Sequence, residues 1–367
     1  MPNNLKICIY AICKNEEAFV DRWYNSMKEA DEIVVVDTGS TDNTVQKLKS
    51  LGIKVYQKIF SPWRFDKARN YSLSKISSDV DVCMSTDLDE VFEQGWRKKI
   101  EEVWIKNKTL QLRYKYVWNV LENGQDGLTF YYEKCHARNG FKWIYPVHEV
   151  LTFNDELKTE NIAIANDLIL RHYPDASKSR SQYLSLLELS VKENPENDRN
   201  THYLAREYMF NNYLDKAIKM FKKHLSLKSS TWKDERSASL RYIGDCYFRK
   251  NNLKQAEKYY KKAIIECINT REPYLALAKF YYETKDYIMC IIVIKAMFDI
   301  KTRTLNYMSQ SDCWNEIPYD LLYMSYYYLG NYKDAYDYCI KALTFEPQNS
   351  RIKSNLTIFK NLLESSL

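Results

Sequence analysis

Two acids one residue apart, Asp87 and Asp89 in Ser85-Thr86-Asp87-Leu88-Asp89-Glu90, have the type and spacing to do chemistry. The run from Val80 to Met84, apolar but for Asp81, reads as a strand ending at the carboxyl edge of a parallel sheet, where open α/β sheets bind ligands. Alternation in an extended segment sends both carboxylates to one side, to share a hard divalent cation or to take one cation and one ribose hydroxyl. A cation there would neutralise a diphosphate. Upstream, VVVDTGSTDNT (residues 34–44) ends a second apolar run on Asp37, a carboxylate suited to accept hydrogen bonds from a nucleobase or ribose. Cys13-Lys14-Asn15-Glu16-Glu17 follows the first apolar run in the same way. In FDKARN (residues 65–70), Arg69 adds a planar donor for stacking or forked hydrogen bonds.

These residues need a scaffold of strands and helices. Residues 7–12 and 33–36 predict parallel strands buried on both faces, and residues 18–28 and 44–51 predict the helices between them. Ser40, Thr41 and Asp42 are candidate caps for the second helix, and Gly52 closes it. Beyond residue 177 strand signals vanish, and Leu, Ala, Tyr and Lys recur at helical spacing. Aligning Ala217, Ala256, Cys290 and Ala335 puts Ala205, Gly244, Ala278 and Tyr323 twelve residues earlier in each unit. Tyr208, Tyr247, Tyr281 and Tyr326 then align, as do Phe221, Tyr260, Ile294 and Cys339. Small residues let paired helices approach while the aromatics fill the gaps, a pattern that resembles the tetratricopeptide repeat, with Pro347 as the terminal proline. The longest insertion lies near residues 301–316. The expected organisation is an α/β domain with a mostly parallel sheet over residues 1–176 and an all-α repeat domain over residues 177–367.

Composition agrees with two folded domains: 367 residues, 45% hydrophobic and 28% charged, are enough for two cores. The net charge of +6, from 54 Lys and Arg against 48 Asp and Glu, gives no electrostatic case for a nucleic-acid partner. The basic run from Arg249 to Lys262 reads as the solvated face of a repeat helix. Nine cysteines, without a CxxC pair, read as reduced thiols packed as small apolar groups. Charge at Lys14, Glu16 and Glu17 directly after the first apolar run matches neither a signal peptide nor a stop-transfer pattern. No transmembrane segment and a cytoplasmic location are therefore expected.

Six motifs in order, CKNEE, VVVDTGSTDNT, FDKARN, TDLDEV, WIYPVHE and LRHYP, resemble the inverting family 2 glycosyltransferases of the GT-A fold, in the bacterial branch with C-terminal tetratricopeptide repeats. The branch includes lipopolysaccharide-core β-glucosyltransferases and the sublancin-type S-glycosyltransferases. The resemblance implies a UDP-sugar donor, with Asp37 binding the base, the loop of Ala11, Cys13, Asn15 and Glu16 enclosing it, and Arg69 beside it. It implies that Asp87, with Leu88, faces the ribose or metal. It also implies Asp89 and His172 as ligands of a divalent metal, Mn2+ or Mg2+. Glu149 is the implied base that deprotonates the acceptor, with His148 orienting it or touching the diphosphate.

The acceptor classes that fit are a peptide or protein side chain and a surface-glycan hydroxyl. The repeats offer a concave, tyrosine-rich surface for an extended peptide or a second copy of the chain, and a homodimer through them is a further expectation. The alternative function is a non-catalytic tetratricopeptide scaffold whose nucleotide-sugar domain has lost turnover.

Overall fold

The computed structural model describes residues 4–121, 124–153, 161–175 and 182–365. The chain divides into two compact units, Met1–Glu193 with Leu305–Tyr307, and Asn194–Thr304 with Met308–Leu367. The boundary expected between residues 176 and 177 lies outside the described residues, and the helix Tyr183–Glu193 groups with the first unit.

The first unit is built on β1 (Ile7–Cys13), α1 (Val20–Met27), β2 (Glu32–Asp37), α2 (Thr44–Ser50), β3 (Lys54–Gln57), α3 (Phe65–Leu73), β4 (Val82–Ser85), β5 (Glu90–Phe92) and α4 (Trp96–Val103). It continues through β6 (Gln111–Val117), β7 (Thr129–Ala137), β8 (Phe141–Ile144), β9 (Val150–Phe153), β10 (Ile162–His172) and α5 (Tyr183–Glu193). Eight strands form one sheet in the order β3-β2-β1-β4-β7-β6-β10-β5, and β8 pairs with β9 separately. The first four run parallel; β7 is antiparallel to both β4 and β6, β10 is parallel to β6, and β5 is antiparallel to β10.

Every residue of β1 is buried, because layers cover both of its faces. Ile7, Ile9 and Ala11 pack with Val35, Trp23 and Met27 on one side, while Cys8 and Tyr10 pack with Val34, Leu73 and Trp143 on the other. Each fully buried isoleucine contributes about 1.5–3 kcal/mol relative to exposure. Asp42 accepts the Thr44 N–H at 3.1 Å at the start of α2. At its end Gly52 adopts φ 76°, and the Ile53 N–H reaches back to the Leu48 carbonyl at 3.2 Å.

The second unit contains α6 (Asp198–Phe210), α7 (Leu214–Ser226), α8 (Lys233–Arg249), α9 (Leu253–Glu266), α10 (Glu272–Glu283), α11 (Tyr287–Met297), α12 (Ile317–Tyr328), α13 (Tyr332–Phe345) and α14 (Ser350–Ser365). The repeat alignment survives in the packing, with Ala205, Ala217, Ala256, Ala278, Cys290, Tyr323 and Ala335 all fully buried. A Cβ on Gly244 would meet the Tyr260 ring at 2.7 Å, so the crossing of α8 and α9 leaves room for glycine alone without a shift. All nine cysteines are free; eight are buried, and Cys267 is half-buried. Among the described residues, no helix is long and apolar enough to cross a membrane.

Candidate active site

The carboxyl ends of β2, β1 and β4 are adjacent in the sheet, and the registers set Cys13 opposite Asp37 and Tyr10 opposite Ser85. Three loops therefore leave the sheet side by side. The first two are tied together: the Asn15 N–H donates to Ser40 Oγ at 2.8 Å, and the Thr41 N–H donates to Asn15 Oδ1 at 2.7 Å. Asn15 holds its turn at φ 54°, a conformation asparagine tolerates better than most residues. The Glu16 N–H donates to Thr44 Oγ1 at 2.8 Å.

Asp37 sits at the centre of these loops and is buried. It accepts the Gly39 N–H at 3.2 Å, the Ser40 N–H at 3.1 Å and the Ser40 hydroxyl. Its oxygens have further lone pairs, so this internal role leaves acceptor capacity. The Cys13 thiol lies 3.8 Å from Asp37 Oδ1, and burial pushes its pKa up. Ala11 and Leu88 contribute their side chains to the core.

The acidic segment differs from its expected extended form. The Glu90 N–H bonds to the Asp87 carbonyl at 3.1 Å, closing a turn, so strict alternation does not apply and the two acids have separate surroundings. Asp87 accepts from Arg69 Nη2 at 2.9 Å and lies 3.8 Å from Lys134 Nζ. Burial would raise its pKa, but the charges of Arg69 and Lys134 outweigh this and hold the carboxyl well below the usual range. Asp89 lies with its Oδ2 3.3 Å from His172 Nε2, and its Oδ1 is buried without a hydrogen-bond partner among the described residues.

His172 Nδ1 lies 2.8 Å from the Trp118 carbonyl, an acceptor, which places the proton on Nδ1 and aims Nε2 at Asp89. Burial lowers the His172 pKa, and the hydrogen bond and charge of Asp89 raise it above the ordinary value. The Trp118 ring stands 4.9 Å from the imidazole and is 46% exposed, so it flanks the site instead of joining the core.

Arg69 does not lie open beside a base. It is buried, donating to Ser85 Oγ at 3.2 Å, to Asp87 and, from Nε, to Glu149 Oε1. The adjacent Asn70 brackets the Trp143 backbone, accepting its N–H at 2.9 Å and donating to its carbonyl at 2.7 Å. The Phe65 N–H bonds to the Pro146 carbonyl at 2.9 Å, so α3 grips the segment that carries Glu149. His148 lies in that segment at φ 49°, its ring 5.8 Å from the Tyr183 ring.

A second group was not assigned from the sequence. Glu90, fully buried, accepts the Asp87 N–H at 2.9 Å, the Tyr116 hydroxyl at 2.7 Å and Lys134 Nζ at 2.9 Å. Thr86 receives the Trp23 indole N–H at 3.0 Å. The acidic turn is thus held from beneath by Glu90 and from α1 by Trp23. Lys134 lies between Glu133 and Cys135 in an aromatic strand, and a lone lysine there was the available signal.

Residues 8–154 match Glycosyl transferase family 2, and residues 243–264 match a tetratricopeptide repeat. Over 30% of this chain, an uncharacterized glycosyltransferase of Rickettsia typhi is 37% identical, and the match covers 37% of that protein. Another uncharacterized glycosyltransferase, of Rickettsia bellii, is 28% identical over 47% of this chain and 61% of its own length. The lipopolysaccharide core biosynthesis glycosyltransferase LpsC of Rhizobium meliloti is 31% identical over 27% of this chain and 37% of its own. The chain spans between 37% and 61% of the length of these relatives. Residues 8–154 are a glycosyl transferase family 2 domain, and a tetratricopeptide repeat follows it in the chain.

Proposed function

We propose that the first unit transfers a hexose such as glucose from a UDP-sugar to an acceptor, with inversion at the anomeric carbon. The observation that carries this reading is the pair Asp89 and His172: a buried carboxylate oxygen without a partner beside an imidazole nitrogen whose tautomer is fixed. That is a nitrogen and oxygen donor set suited to a divalent ion, Mn2+ or Mg2+. When bound, such an ion supplies Lewis-acid stabilisation of the charge on the departing diphosphate.

Within this reading Asp37 accepts from the uracil, and Asn15, Glu16 and the backbone at Ala11 and Cys13 close the base pocket. Asp87 meets the ribose or the metal, and Arg69 orients Asp87. Glu149 accepts the acceptor proton on Oε2, since Oε1 is held by Arg69. As that proton moves, the acceptor atom bonds to the anomeric carbon, and the bond from that carbon to the diphosphate oxygen breaks. His148 positions Glu149. The acceptor is a peptide or protein side chain or a surface-glycan hydroxyl, and the function named for LpsC supports the glycan class. The repeats recruit the acceptor protein or a second copy of the chain, and the reaction runs in the cytoplasm.

The test is thermal stability against a panel of nucleotide sugars with Mn2+, for the native chain and Asp89→Ala. A donor at 100 times its Kd should add about 2.7 kcal/mol. A shift with one uridine sugar that is absent in Asp89→Ala supports transfer and identifies the donor. No shift with any nucleotide sugar moves the reading to a non-catalytic scaffold.

A further inference from the structure

Within the second unit, two of the chain's five histidines meet a glutamate in the interior. His202 of α6, His224 of α7 and Glu235 of α8 are each buried, and one ligand atom from each lies within 4.8 Å of the others. Glu235 Oε1 is 3.6 Å from His224 Nε2 and 4.0 Å from His202 Nδ1, beyond hydrogen-bond distance in both cases. A tetrahedral zinc at about 2.0–2.1 Å from each donor spaces its ligand atoms by about 3.4 Å, so closing this triangle takes a fraction of an ångström to about an ångström per atom.

We propose that His202, His224 and Glu235 bind a structural zinc ion that joins α6, α7 and α8. Repeat interiors call for small and aromatic residues, and here two imidazoles and a carboxylate from three successive helices are buried with their ligand atoms facing one another. Zinc takes such a set of two nitrogens and one oxygen. His224 is arranged as a ligating imidazole usually is: with Nε2 toward Glu235, its Nδ1 lies 2.9 Å from Ser239 Oγ, which fixes the ring from behind. Ser230 Oγ lies 3.0 Å from His224 Nε2 and is placed to occupy a fourth position. His202 Nδ1 lies 2.8 Å from Ser239 Oγ and would turn from it to the metal. Burial also lowers the pKa of both imidazoles, His224 to about 4, so they present the unprotonated nitrogens that a metal requires.

The test uses the full chain and two metals, zinc and its spectroscopic substitute cobalt. The native protein and Asp89→Ala should each retain about one zinc per chain by elemental analysis. Both should show visible cobalt bands of a tetrahedral site and lose thermal stability on chelation. In His224→Gln and Glu235→Gln the zinc and the cobalt bands should be lost. Asp89→Ala separates this site from the donor site, and Glu235→Gln, close in shape to the original, covers the case in which His224→Gln fails to fold. A native chain that binds neither metal would overturn the proposal and leave a hydrogen-bonded histidine-serine network. So would cobalt bands that persist in both variants.

Discussion

Arg69 donates from Nε to Glu149 Oε1 and from Nη2 to Asp87 Oδ1 at 2.9 Å, so one buried guanidinium joins the proposed base to the carboxylate of the donor side. Lysine carries the charge but cannot fork to both partners. Arg69→Lys should therefore lower turnover, with the larger loss in kcat, while stability falls less than in Arg69→Ala. Arg69→Ala leaves Glu149 without its cation and Asp87 with Lys134 alone, and should cost toward the lower end of about 3–5 kcal/mol, because the Asp87 side chain also remains 36% exposed. Urea unfolding of the two variants, alongside sugar-transfer kinetics, checks the order; equal kinetic loss in both would point to charge alone.

Lys134 and Glu90 form an enclosed pair beneath the acidic turn. Lys134→Met should leave the Glu90 carboxylate buried and unpaired, at about 3–5 kcal/mol. Replacing both by Met and Gln should recover part of the stability but not donor binding, since Asp87 still lacks the Lys134 charge. Unfolding free energies of the single and double variants measure the coupling.

His136 is buried between the Tyr10 hydroxyl, 2.8 Å from Nε2, and the Ala137 carbonyl, 2.7 Å from Nδ1. Burial lowers its pKa from 6.5 to about 4. Between those values the unfolded chain binds the proton and the folded chain does not, so stability present above pH 6.5 is lost as pH falls toward 4. At about 1.4 kcal/mol per unit, the contribution is roughly 3 kcal/mol. His136→Gln should flatten the acid slope of the unfolding free energy in that window; an unchanged slope would assign the acid sensitivity elsewhere.

Gly244 and Tyr260 share one space in the repeats. Gly244→Val should destabilise the second unit by about 1–3 kcal/mol through overpacking. Combined with Tyr260→Leu, it should cost less than the two changes summed, with a coupling of about 0.5–3 kcal/mol. Additive effects in thermal unfolding would show that the ring is not the obstacle.

Much of this was legible in the sequence because it rests on periodicity. The runs at residues 7–12 and 33–36 became β1 and β2, and the small-residue spacing became the helix pairs. Six ordered motifs also singled out residues that the fold gathers at one sheet edge. What escaped depends on contacts distant in sequence. Nothing near Lys134 announces Glu90, 44 residues away, and nothing in FDKARN announces Glu149, 80 residues from Arg69. The extended reading of Asp87 and Asp89 failed because a local N–H found the Asp87 carbonyl. His202 and His224 lie in different helices, and only packing brings them together.

The turn from Asp87 to Glu90 also bears on the order in which ligands arrive. Asp87, Glu90 and Glu149 pair with Arg69 and Lys134, and Asp89 with His172, so with a neutral imidazole the formal charge of the group is negative by two. A nucleotide diphosphate arriving alone meets a field of its own sign, whereas one arriving with a dication meets a cleft brought to neutrality. If the first unit works as proposed, cation first, or cation and donor together, is the order of binding that this turn favours.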